Sequence, residues 1–158
     1  KEKLFYVKDC QLDTDLEILI PDTYVSNISE RLNLYKELNS FTKEIEIEDF
    51  IKKINDRFGK SPKEIDVVCN AIRLRWSAKK IGFERISLKN NNMRAYFTSK
   101  SDSEYFNSNI FKKVLNYLKY NPKNCEISQK KDKLSIKIKN IFSIEESLIV
   151  CNNILNTK

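Results

Sequence analysis

Histidine is absent from the 158 residues, and glycine occurs only twice, at Gly59 and Gly82. The first absence removes the commonest general base and metal ligand. The second leaves no glycine-rich loop to cradle a phosphate. The four cysteines, Cys10, Cys69, Cys125 and Cys151, include no C-x-x-C pair, so a clustered zinc site is not expected. Each falls on the apolar phase of a predicted strand or helix, where a thiol packs as a small hydrophobe in a reducing cytosol. No G-x-S-x-G elbow, H-E-x-x-H helix or carboxylate cluster with metal-loop spacing is present. No run approaches the roughly 18 apolar residues of a membrane span, and no signal-peptide pattern opens the chain. These absences argue against an independent enzyme, a resident cofactor or metal, and a membrane partner. The chain starts at Lys1, not at a methionine, and is expected to be a piece of a longer polypeptide.

What remains is an ordinary globular composition, 41% hydrophobic and 32% charged. The net charge of +7 is unevenly spread. Residues 1–79 carry 14 Lys/Arg against 15 Asp/Glu, whereas residues 80–158 carry 15 against 7. A basic second half invites a nucleic-acid reading, although no basic run with interleaved aromatics appears. The Lys130-Lys131 turn is read as a solvated tip, with DNA-backbone contact the alternative.

Alternation of Cys10, Leu12, Thr14, Leu16, Ile18 and Ile20 predicts a half-exposed strand that Pro21 stops. A helix is expected from Ser26 or Asn27 to Asn39, with Ile28, Leu32, Tyr35 and Leu38 as its apolar stripe. A second, from about Glu46 to Phe58, places Ile47, Phe50, Ile51, Ile54 and Phe58 together, and Gly59 suits a left-handed cap. Acids at Glu44, Glu46, Glu48 and Asp49 read as complements to its dipole, not as a catalytic pair. Ser61-Pro62-Lys63-Glu64 opens a third helix, with Ile65, Val68, Cys69, Ile72 and Trp76 inward and Gly82 as the stop.

Two hairpins and two helices complete the chain. Phe83–Leu88 and Met93–Thr98 flank an asparagine-rich turn; a helix from Ser101 or Asp102 runs to Pro122. About Asn124–Gln129 then pairs with Lys133–Lys139, and a capping box at Ser143 and Glu146 opens the last helix. The expected fold is α+β: an N-terminal strand plus a three-helix lobe over about 10–82, then a β-β-α-β-β-α lobe over about 83–158. Its small sheet should be mostly antiparallel, with Lys133, Lys137 and Lys139 on the exposed face.

Two stretches are more specific. Ile20-Pro21-Asp22-Thr23-Tyr24-Val25 leads into Glu30-Arg31-Leu32-Asn33-Leu34-Tyr35-Lys36, and Asp56-Arg57-Phe58-Gly59-Lys60-Ser61-Pro62 precedes a helix containing Arg73-Leu74-Arg75. Together, over residues 12–82, they resemble the C-terminal domain of the bacterial transcription-repair coupling factor. The second half matches only in element order.

That resemblance implies a parent protein that is an ATP-dependent, helicase-like translocase on duplex DNA, with ATP and Mg bound by an upstream motor. It removes stalled RNA polymerase and recruits UvrA in transcription-coupled nucleotide excision repair in the cytoplasm. It also implies that this domain is an autoinhibitory latch on the UvrB-like module of the same polypeptide, masking UvrA recruitment. The alternative is a DNA-binding accessory domain acting through the basic second lobe.

Candidate partner-binding residues are Asp56, Arg57, Lys53, Arg31 and Arg73. Asp56 stands at the unfavourable end of its helix dipole, so it either pairs within the domain or meets a basic patch on the partner. Lys53 occupies a position that is acidic in the family pattern. Tyr35 reads as core, and Arg73 and Arg75 flank Trp76, either for an internal cation–π contact or for a partner.

Overall fold

A computed structural model describes residues 5–99 and 103–158. The described residues up to Leu16 and those of Leu74–Lys158 form one compact unit, and Glu17–Arg73 form another.

The first unit is built on a five-stranded sheet ordered β1-β2-β3-β5-β4. Its strands are β1 (Gln11–Thr14), β2 (Phe83–Lys89), β3 (Asn92–Phe97), β4 (Cys125–Lys130) and β5 (Lys133–Lys139). β1 is parallel to β2 and every other pair is antiparallel, so the sheet is mostly antiparallel, as expected. Asn90 and Asn91 both take positive φ, 55° and 61°, which matches the primed turn that a two-residue hairpin favours. Lys131 (φ 56°) does the same in the second hairpin.

Period-two alternation gives the sheet two unlike faces. Ile86, Leu88, Met93, Ala95, Phe97, Ile136 and Ile138 are all buried on one of them. Helices α5 (Asn109–Tyr120) and α6 (Ile144–Leu155) cover that face. Phe111 of α5 meets Phe97 edge-on at 5.6 Å, and the Ser147 hydroxyl of α6 reaches the Met93 sulfur at 3.2 Å. The capping box at the start of α6 forms: Ser143 Oγ accepts from Glu146 N (3.0 Å), and the Glu146 carboxylate accepts from Phe142 N (2.7 Å).

Several expectations need correction. The alternating run 10–20 is a strand only to Thr14, because β2 ends at the Asn90-Asn91 turn and offers nothing further to pair with. Thr14 Oγ1 instead donates to Leu88 O (2.8 Å) and accepts from Leu16 N (2.9 Å), turning the chain out of the sheet. The lobe boundaries of 10–82 and 83–158 shift accordingly, since β1 belongs with β2. The single helix expected before Pro122 starts outside the described residues and is interrupted. α4 (Ser103–Phe106) ends, and Ser108 caps α5 by accepting from Phe111 N at 3.3 Å.

The second unit holds α1 (Ile28–Ser40), α2 (Glu44–Phe58) and the first part of α3 (Lys63–Ile81). Asn27 caps α1 by accepting from Glu30 N at 3.0 Å. α1 buries Leu34 and Leu38, not the stripe expected at Ile28 and Leu32, which are 66% and 55% exposed. Apolar residues lie on two flanks of this helix, and the buried one is chosen by Tyr35 and Arg31, whose polar ends fold back onto the preceding loop. α2 buries Ile47, Phe50 and Ile54. α3 buries Ile65, Val68, Cys69 and Ile72 as predicted, and Ala71, Leu74, Ala78 and Ile81 in addition, so it is apolar nearly all round.

Gly59 has φ 90° and ψ −177°, an extended positive-φ conformation available essentially to glycine alone, instead of the left-handed helical cap expected. Gly82 (φ 99°) stops α3, and the Tyr105 ring lies directly over its α-carbon.

Candidate functional site

The motif residues converge within the helical unit. The Ile20 N–H donates to the Tyr35 hydroxyl (2.6 Å), and Arg31 Nη1 donates to Val25 O (2.6 Å) and Ser26 O (3.1 Å). The Tyr24 hydroxyl lies 2.7 Å from Gly59 O and 3.0 Å from Ile54 O. Burial pushes the Tyr24 phenol above its usual range, which keeps it a donor. Asn55 adds a further tie, its side-chain oxygen accepting from Ser61 N at 2.8 Å. The loop 20–25, α1 and the end of α2 are thereby locked together. Arg31, a candidate for partner binding, commits its Nη1 donors to this lock.

Arg73 is likewise committed inside the unit. Its guanidinium grips the Glu44 carboxylate through two bonds of 2.9 and 2.6 Å and reaches Asn70 at 3.0 Å. That arginine holds the Glu44 carboxyl below the usual range. Glu46 serves as a cap, accepting from Thr42 N and Lys43 N, so Glu44 and Glu46 have structural duties at the start of α2. Arg75 pairs with Asp9 in the sheet unit.

The remaining three candidates share α2. Lys53 is ion-paired with Glu37, and Arg57 with Glu30 at 2.6 Å, so a seam of two ion pairs stitches α2 to α1. The Arg57 guanidinium also lies over the Phe58 ring, 4.9 Å from its centre. Asp56, beside them on the side opposite buried Ile54, is exposed with no ion pair among the described residues. Internal pairing with Arg57, Lys60 or a neighbouring arginine, one of the two roles considered for it, is not seen among the described residues, and Glu30 takes Arg57. Beside the seam, an open cleft of about 250 Å³ is lined by Glu37, Phe41, Glu46, Asp49, Phe50 and Lys53. Glu30 and Glu37 were not singled out from the sequence; their role depends on how α1 packs against α2, which spacing alone does not encode.

None of the buried thiols is an activated nucleophile. Burial pushes Cys10 up to about 12 and Cys69 to about 11, and Cys151 is raised as well. Among the described residues no group of three or more His, Cys, Asp or Glu could hold a metal ion. No helix among them is long and apolar enough to cross a membrane.

The family model for the TRCF domain matches residues 14–108, well over half of the chain. The chain belongs to the TRCF domain family. Its curated relatives are named transcription-repair-coupling factor: that of Rickettsia conorii is 26% identical over 107 residues, 68% of this chain and 9% of that protein. The factor of Escherichia coli K12 is 29% identical over 76 residues, 48% of this chain and 7% of its own length. The chain thus spans about a tenth or less of these relatives. The fold also matches a crystal structure of the C-terminal domain of transcription-repair coupling factor, with a TM-score of 0.69 and 18% identity over 94% of this chain and 92% of that one. The TRCF match covers both motif stretches, and the ties from Tyr24, Arg31 and Tyr35 give those residues a folding role within the domain.

Proposed function

We propose that this TRCF domain is a regulatory docking module that closes on the UvrB-like module of its own polypeptide and masks UvrA recruitment. The parent is an ATP-dependent translocase that displaces stalled RNA polymerase during transcription-coupled nucleotide excision repair, with ATP and Mg held by a motor outside this chain. The observation that carries the docking reading is the contrast along α2. Lys53 and Arg57 are fixed by Glu37 and Glu30, while Asp56 projects to solvent without a partner, at the helix end where a carboxylate is least favoured. An unneutralised acid on a rigid, glycine-stopped helix suits a basic patch on the facing module. Lys53 and Arg57 frame it; Arg31 and Arg73 support the scaffold.

A latch of this kind needs a modest interface, since the opening ligand shifts the closed state by only a few kcal/mol. The test is binding of the chain to the isolated UvrB-like module in trans. Asp56→Arg is expected to weaken that complex about tenfold or more and, in the full-length factor, to raise UvrA affinity. Unchanged affinity in both assays would place the latch on another surface.

A further inference from the structure

The sheet has a second face, opposite the one that α5 and α6 cover, and cations outnumber carboxylates on it. Strand register places Arg85 and Lys89 of β2, Arg94 of β3, Lys133, Lys137 and Lys139 of β5, and Lys130 of β4 on this face. Within the strands it carries three carboxylates, Asp13, Glu126 and, in the bulge beside Arg85, Glu84, which accepts from Ser99. Asp13 is taken by Arg85, and Glu126 by Lys139 at 2.8 Å. Lys89, Arg94, Lys130, Lys133 and Lys137 are left without an ion pair among the described residues.

Two of the cross-strand pairs join like charges. Arg94 stands directly opposite Lys137, and Lys130 directly opposite Lys133. Facing cations destabilise an antiparallel pair. Arg94 is nevertheless held in place, its Nη1 donating to the buried Ser135 hydroxyl at 3.0 Å. Glu126, opposite Lys137 on its other side, offsets part of this repulsion, and the cations in excess of the carboxylates suit an external polyanion. From β2 to β4 the face spans three strand spacings, about 14 Å, and Lys133 to Lys137 covers about 13 Å along the strand. Phosphates along one strand of a duplex recur every ~3.4 Å of axis, so the patch can meet several at once.

We infer that this sheet face, centred on Arg94, Lys137, Lys130 and Lys133, binds the phosphate backbone of duplex DNA without reading its sequence. Charge complementarity selects a polyanion, and the aromatic content selects a duplex over a single strand. Sites for single strands offer open aromatic rings on which bases stack. The one aromatic in the strands of this face, Tyr96, already carries the Arg85 guanidinium 5.4 Å from its ring centre. This surface lies in the sheet unit and shares no residue with the α2 docking site, so either proposal can fail without the other.

The test is fluorescence anisotropy of the whole chain with a labelled 20-base-pair duplex, and with the matching single strand, between 50 and 200 mM salt. Five phosphate contacts predict that log K falls against log[salt] with a slope of about −4 to −5. The Arg94→Gln/Lys137→Gln pair is expected to flatten that slope by about 2, and Lys130→Gln/Lys133→Gln by a similar amount. Lys112→Gln/Lys119→Gln, on the exposed side of α5, should leave it unchanged. Thermal melting verifies that each variant is folded. The inference is overturned by absence of duplex binding at 50 mM salt, by equal losses in the α5 control, by tighter binding to the single strand, or by polyglutamate competing as well as duplex.

Discussion

The Tyr24 hydroxyl lies 2.7 Å from the carbonyl oxygen of Gly59, so the two separate stretches of the family motif meet at a single phenol. Gly59 holds the chain in a conformation that turns this carbonyl toward Tyr24, and Tyr35 secures the other end of the same loop through Ile20 N–H.

Removing either hydroxyl should therefore loosen the helical unit, by different amounts. Tyr24→Phe loses one ordinary hydrogen bond and is expected to cost about 1 kcal/mol. Tyr35→Phe strands the amide of Ile20, a buried residue, and should cost about 1–3 kcal/mol. Urea titrations of the two variants compare them; a larger loss for Tyr24→Phe would contradict this ranking.

The two glycines separate conformational strain from steric exclusion. A Cβ on Gly59 meets nothing within 4 Å, so Gly59→Ala bears only the positive-φ penalty, about 1–3 kcal/mol. A Cβ on Gly82 collides with the Tyr105 ring, whose hydroxyl is anchored to Ile81 O at 2.7 Å. Gly82→Ala adds about 1–3 kcal/mol of overpacking to the same strain. The midpoint of thermal unfolding should fall clearly further for Gly82→Ala.

Asp56 sits where a carboxylate opposes its helix dipole, and no ion pair among the described residues offsets it. Asp56→Asn is expected to raise stability by about 0.3–1 kcal/mol at low salt, with the gain fading as salt screens the dipole. A stability loss would mean that the carboxylate is needed within the domain.

Alkaline pH should destabilise the sheet unit through Cys10. Its pKa rises from 9.0 in the unfolded chain to about 12 in the fold, mainly by burial, with Asp9 adding to the shift. The unfolded chain therefore releases this proton first. Stability is intact below pH 9 and declines between pH 9 and 12. Cys10→Ala should make the decline shallower in denaturant titrations at pH 8 and 10.5. Thiol labelling follows the same logic: Cys125, half-buried on β4, should react before the three buried cysteines.

Much of the fold was legible because its signals are local. Asn90-Asn91, the Ser143 box, the Gly82 stop and the alternating strands each act over a few residues, and all appear where the pattern places them. The stripe on α1 was misread because Ile28, Leu32, Leu34 and Leu38 offer two apolar flanks, and only packing decides between them. β1 was read too long because the length of a strand depends on its neighbour. The candidate site shows the same divide. Asp56 was noticeable from its place on the dipole, whereas the commitments of Arg31 to Val25 and Arg73 to Glu44 depend on tertiary geometry.

Thr14 and Leu88 are bonded across 74 positions of sequence, which makes the whole helical unit an insert between two adjacent strands. Zipping up this parallel edge requires a large ring of chain to close, and such a ring is entropically cheaper once its interior is already compact. The four-residue edge strand is thus a late, easily released clasp on the sheet.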